Sequence, residues 1–177
     1  MTYRVNDAVL YGAQGVCRIA EISEKDLCGK PIEYYVLKPV YDSKATIFIP
    51  VNSETASSNM RPIMSAEQAR ALIKTMPNVD SIWIEEDVAR RTHYQEILLG
   101  CDRMELIKLI KTLYLRQRKQ KDSGKEMHLA EKHMLKEAEK ILHGEFAYVL
   151  NIKYEQVLSF ITDQIKLTDQ IKFEDKI

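Results

Sequence analysis

Ser65-Ala66-Glu67-Gln68-Ala69-Arg70-Ala71-Leu72-Ile73-Lys74-Thr75-Met76-Pro77 is where the hydrophobic period of the chain changes. Ser65 with Gln68 three residues on has the S-x-x-Q form of a capping box, in which each side chain satisfies the other's backbone N–H. Ala69, Leu72, Ile73 and Met76 then recur at helical spacing, and Pro77 stops the helix. Before this stretch the chain reads in steps of two. Ala8-Val9-Leu10-Tyr11, the run 15–22, Glu33-Tyr34-Tyr35-Val36-Leu37-Lys38 and Ala45-Thr46-Ile47-Phe48-Ile49-Pro50 are short, β-branched or aromatic, and bounded by Gly, Pro, Asp or Asn. Gly12 and Gly15 bracket one turn, Cys28-Gly29-Lys30 marks a second and Asp42-Ser43-Lys44 a third. Short strands joined by tight turns predict a small, curved antiparallel sheet or SH3-like barrel, which Pro50 closes.

After Pro77 the period stays helical. Pro77-Asn78-Val79-Asp80-Ser81 is turn chemistry and marks the expected domain boundary. A helix is predicted over 86–99, ended by Gly100, and another over 102–120. The second places Leu106, Leu109, Ile110, Leu113 and Tyr114 on one side, and Lys108, Lys111, Arg118 and Lys119 on the other. Asp122-Ser123-Gly124 breaks it. A third helix carries Met127, Ala130, Met134, Ala138 and Ile141, with 144–150 as a buried continuation. Tyr154, Val157, Leu158 and Ile161 mark a last helix. The fold class is therefore α+β, a small antiparallel β domain followed by a helical bundle. The expected divisions are a β domain over 1–64, a helix and linker over 65–80, a helical domain over 81–165 and a frayed tail over 166–177.

The chain has 177 residues, 45% of them hydrophobic and 29% charged, enough for one or two small domains. With 26 basic and 26 acidic side chains it is no bulk polycation, and 6 Gly and 5 Pro exclude collagenous or low-complexity readings. The zero balance hides an asymmetry. Residues 90–143 hold 13 Lys+Arg against 8 Asp+Glu and all 4 His, while the flanking stretches are net acidic. A basic segment of this kind binds a polyanion locally or is simply a solvated helix face; screening beyond about 10 Å makes the local balance matter more than the total. Met1-Thr2-Tyr3-Arg4 leads straight into the alternating pattern and no long apolar run follows, so neither a signal peptide nor a membrane span is expected. Three cysteines without C-x-x-C spacing suit a reducing cytoplasm. Cys17 is expected in the core, Cys28 exposed in a turn and Cys101 beside a helix cap.

Enzyme chemistry is not indicated. His128 and His133 are five apart, which does not put both on one helix face for a metal. Phosphate-binding glycine loops and the G-x-S-x-G nucleophile motif are missing, and no cofactor, metal or small-molecule substrate is expected.

Val5-Asn6-Asp7-Ala8-Val9-Leu10-Tyr11-Gly12-Ala13-Gln14-Gly15-Val16 resembles the opening V-G-D-x-V-V-Y-P-x-H-G-V of the CarD/CdnL group of bacterial transcription regulators. That opening is shared with the RNA-polymerase-interacting domain of transcription-repair coupling factors. Gly12 replaces the family's Pro and Gln14 its His; both keep a turn, with Gly15 supplying a positive φ. Gly29-Lys30-Pro31-Ile32-Glu33-Tyr34-Tyr35-Val36-Leu37 is similar to G-x-x-x-E-Y-Y-V-L, and Ile47-Phe48-Ile49-Pro50-Val51 to the strand that ends V-P-V. Downstream, Ile110-Lys111-Thr112-Leu113-Tyr114-Leu115-Arg116 resembles V-x-D-L-Y-x-R, and 142–150 resembles L-x-G-E-L-A-x-A-L. The motifs are collinear over 1–160.

The resemblance implies a Tudor-like domain that docks on the β subunit of RNA polymerase, and a helical domain that contacts promoter DNA at the upstream edge of the melted region. Together they stabilise the open complex without reading sequence, in a cytoplasmic protein held at the nucleoid through polymerase. It places polymerase contact at Lys25 and along the Ile47, Phe48 and Ile49 strand edge. Phe48 stands where several relatives carry Arg, which replaces charge by aromatic burial. It also implies that Trp83, the only tryptophan, wedges against the minor groove. Trp83 stands a few residues nearer the N-terminus than the family's Trp and is followed by Glu85-Glu86-Asp87; the alternative is a core Trp at the domain junction. Arg90 and Arg91 fall where relatives carry phosphate-contacting residues. Lys108, Lys111, Arg116, Arg118, Lys119 and Lys121 form a second basic cluster, some of it paired with Glu105, Asp122 or Glu126. The rival function is a protein-interaction module with no DNA role.

Overall fold

The computed structural model describes residues 3–26, 31–42, 44–53 and 59–174, the last eight as backbone. Five strands form one antiparallel sheet: β1 (Ala8–Tyr11), β2 (Val16–Asp26), β3 (Pro31–Pro39), β4 (Ile47–Pro50) and β5 (Met60–Pro62), in the spatial order β4-β3-β2-β1-β5. Between β1 and β2 a 3₁₀ turn, Gly12–Gln14, closes on Gly15, whose φ of 72° is the positive value expected there. Cys28-Gly29-Lys30 and Ser43 lie outside the described residues. β2 and β3 keep register until Ile19 pairs with Leu37, then shift so that Glu21 pairs with Val36. The extra residue at Ala20 is a bulge, which bends the strand and lets a small sheet curl. Inside the curl lie Val9, Cys17, Ile19, Tyr35, Leu37, Ile49 and Met60.

β5 was not foreseen. It is three residues long and ends in Pro62, too short for a period of two to show. Yet it pairs with β1 through Val9, Leu10 and Tyr11, and so leaves β4 at the opposite end of the sheet.

Five helices follow: α1 (Ala66–Thr75), α2 (Asp87–Gly100), α3 (Arg103–Asp122), α4 (Leu129–Leu150) and α5 (Val157–Glu174). The capping box on α1 is complete: Gln68 N donates to Ser65 Oγ (3.1 Å) and Ser65 N to Gln68 Oε1 (2.8 Å). α2 takes in Gly100, and the left-handed cap is Cys101, with φ 49°. Residues expected as a third helix and its continuation form the single helix α4, which ends on left-handed Asn151. α5 carries helix through Glu174, across much of the tail expected to fray.

The sheet and the bundle share a core. Leu10, Val16 and Met64 lie in one buried cluster with Ile73, Leu106, Leu113, Leu142 and Phe146. Polar contacts reinforce it. Glu145 on α4 is fully buried, and its carboxylate accepts from Met64 N (2.8 Å) and from Arg103 Nε (2.8 Å) and NH2 (2.6 Å). Arg103 also donates to Pro62 O (2.8 Å) at the end of β5. Tyr41, after β3, donates to Gly144 O (3.1 Å), and a Cβ on Gly144 would meet the Tyr41 ring at 3.4 Å.

Candidate polymerase and nucleic-acid interfaces

β4 is an end strand, and among the described residues no strand pairs with its outer edge. Alternation along it turns Phe48 outward and its neighbours inward. Phe48 is 41% exposed, whereas Ile49 is buried in the sheet core and Ile47 packs partly against the same cluster. Ile49 therefore offers a partner only its backbone edge, while Ile47 stays half-buried. Phe48 sits in a small assembly. The ring of Tyr34 meets it edge-on at 6.5 Å, and Lys25 Nζ lies 4.8 Å from its centroid. Lys25 and Phe48 thus form one cross-strand surface, an ammonium over an aromatic face.

The second surface is built around Trp83, in the extended segment between α1 and α2. Two groups on α3 and one on α2 pin that segment. Ile82 N donates to Thr112 Oγ1 (2.7 Å), Lys111 Nζ donates to Pro77 O (3.0 Å) and Val79 O, and Tyr94 donates to Ile82 O (3.4 Å). The Trp83 ring is 38% exposed, neither core nor free. Two guanidiniums lie over it, Arg90 at 4.4 Å and Arg116 at 4.6 Å from the centroid. Each such pair contributes about 0.5–2 kcal/mol according to its desolvation.

Two of the three acids after Trp83 are occupied, while Glu85 lines the groove beside the ring. Glu86 caps α2, accepting from Val88 N and Ala89 N, and Asp87 pairs with both Arg90 and Arg91. Arg90 is buried, with further bonds to Ile84 O (2.8 Å) and Glu85 O (3.2 Å), so its guanidinium braces the loop under Trp83. Arg91 is largely exposed. Lys108 is tied to Glu105 (2.7 Å), which holds its ammonium above the usual lysine value, and Lys111 is spent on the loop carbonyls. Arg118 and Lys119 are exposed, and Lys119 borders a groove of about 340 Å³ shared with Trp83, Ser81, Thr112 and Arg116. The arrangement brings Trp83, Arg116 and Lys119 together around one groove with Arg90 over the ring, and sets Arg91 with Arg90 on an adjoining groove; Lys108 and Lys111 border neither.

Thr112 was not singled out for this site, and Arg116 only as one of a basic cluster. Their signal was the spacing of Thr112, Arg116 and Lys119, four and then three residues apart, which is one helix face. Burial pushes the Cys17 thiol up to about 12 and the Cys101 thiol to about 11, so neither is a reactive thiolate at neutral pH. Among the described residues no His/Cys/Asp/Glu cluster could hold a metal, and no helix is long and apolar enough to cross a membrane.

Comparison with protein families matches residues 3–64 to the CarD-like/TRCF RID domain and residues 77–162 to the CarD C-terminal domain. A polymerase-interacting sheet ahead of a helical bundle defines the class, a transcription-associated protein that binds RNA polymerase. The chain belongs to the CarD-like family, a family of non-enzymatic transcription factors. A search of curated proteins found no match.

Proposed function

We propose that the β4 edge, with Lys25 and Phe48, docks on the β subunit of RNA polymerase, while the Trp83 surface meets promoter DNA at the upstream edge of the melted region. Residues 1–64 and 81–165 then serve as the two contact units, joined by 65–80. The observation that carries the reading is the half-exposed Trp83 ring, held on the surface by arginines with the exposed cations Arg91, Arg118 and Lys119 on the neighbouring helices. A flat apolar ring props open a base step, and flanking cations contact phosphate without reading sequence. An end strand offers backbone pairing to a partner's sheet, which tolerates an aromatic where relatives carry Arg. Such a protein binds the open complex better than the closed one and shifts the equilibrium by that difference alone.

The test is open-complex lifetime on a weak promoter with cognate polymerase. Wild-type protein lengthens it, and Trp83→Ala, folded by circular dichroism, does not. A wild-type protein without effect removes the open-complex role, and an effect that survives Trp83→Ala removes the wedge.

A further inference from the structure

The two arginines over Trp83 are held very differently. Arg90 is buried and has hydrogen bonds to two carbonyls and to Asp87. Arg116 is 28% exposed at its side chain, and among the described residues its only ion pair is a loose one, Nε to Glu131 Oε1 at 3.7 Å. That distance is too long for a hydrogen bond, and among the described residues Arg116 Nε has no partner. Nearby, Glu131 Oε2 and, one turn along α3, Gln120 Oε1 are also buried without one. Unsatisfied buried polar groups disfavour the arrangement that leaves them so. Arg116 also borders both the groove beside Trp83 and the adjoining groove at the start of α4, where Arg91 and His128 lie. It therefore stands between the ring and a groove lined by Arg90, Arg91 and His128 as well as Asp87 and Glu131, with donors to spare.

We infer that Arg116 is a positioning residue that covers the Trp83 ring in the free protein and exchanges the ring for a backbone phosphate when DNA arrives. Arg90 is the fixed platform and Arg116 the movable one. In the exchange Arg116 gives up a stack and a loose ion pair with Glu131 but no hydrogen bond, and it gains a charge-assisted bond whose planar geometry suits phosphate. The ring is freed in the same step that brings nucleic acid to it. The exchange rests on the DNA reading proposed above; the covering of Trp83 in the free protein does not.

The single tryptophan makes the covering directly observable. In the full chain without DNA, Arg116→Ala red-shifts Trp83 emission and steepens its quenching by acrylamide, while Lys136→Ala, an exposed charge elsewhere on α4, changes neither. Arg116→Lys separates the two roles, since an ammonium keeps the charge but cannot lie flat on the ring. It behaves like Ala in quenching but retains the salt dependence of binding to a forked duplex. Arg116→Ala lowers the slope of log K against log salt by about one, as loss of one phosphate contact requires. Unchanged quenching in a folded Arg116→Ala chain overturns the positioning role. An unchanged slope overturns the exchange. If wild type binds no fork, the DNA reading and the exchange fall together, and the quenching result alone decides whether Arg116 covers Trp83.

Discussion

Adjacent arginines with the same sequence signature have opposite roles. Asp87 pairs with both, but the helical turn sends Arg90 inward to the loop carbonyls and leaves Arg91 in solvent. Arg90→Ala removes the brace and leaves carbonyls short of a donor, so it lowers stability by about 1–3 kcal/mol in urea unfolding. Arg91→Ala leaves stability within about 0.5 kcal/mol. No count of charges separates them, because the distinction depends on where the 79–86 loop lies, and that is set by Thr112, Lys111 and Tyr94 from distant positions. His143 is a second case. Burial holds its imidazole below the ordinary value of 6.5 despite the opposing pull of Glu139, and the Tyr154 ring lies 6.4 Å away. The native state thus binds fewer protons here than the unfolded chain. His143 contributes stability that is present above about pH 6.5 and lost as pH falls towards its lowered folded value. Urea midpoints measured from pH 7.5 to 5 fall for the wild type, and His143→Gln flattens this part of the profile.

At the scale of elements, what was legible followed from period and caps. The capping box of α1 and the breaks around α3 were readable because they are local chemistry, and Ser65→Ala is expected to cost about 1 kcal/mol in thermal or urea unfolding. The strands from Ala8 to Pro50 were readable by alternation. β5 was not, since three residues ending in proline carry no period, and its partner β1 lies some fifty positions earlier. The cap after α2 fell on Cys101 instead of the more permissive Gly100, because the buried thiol, bonded to Leu98 O (3.3 Å), fixes that residue in the core. β4 shows the limit of a strand-level prediction: a motif marks the element, and the pleat decides which side chains it offers. Ile49→Ala therefore destabilises by about 2–5 kcal/mol through a cavity. Phe48→Ala leaves the unfolding midpoint nearly unchanged and weakens capture of polymerase by the immobilised full chain. Equal capture by Phe48→Ala and wild type would remove that ring from the interface.

For the whole molecule, the decisive group is Glu145. Sequence placed it in a buried continuation but gave no hint of its partners, which lie at Met64 and Arg103. Removing Arg103 leaves a fully buried carboxylate with one donor, a loss of about 3–5 kcal/mol. Arg103→Ala should unfold at markedly lower urea, and as one transition, because sheet and bundle share the cluster that holds Leu10, Val16 and Phe146. The joint that Glu145 makes has a mechanical consequence. If one end grips polymerase and the other meets the fork, the span between them is set by packed side chains instead of by a tether. The protein then works as a caliper: it favours promoters by where their strands part relative to the enzyme, a selection by distance that no base contact need enforce.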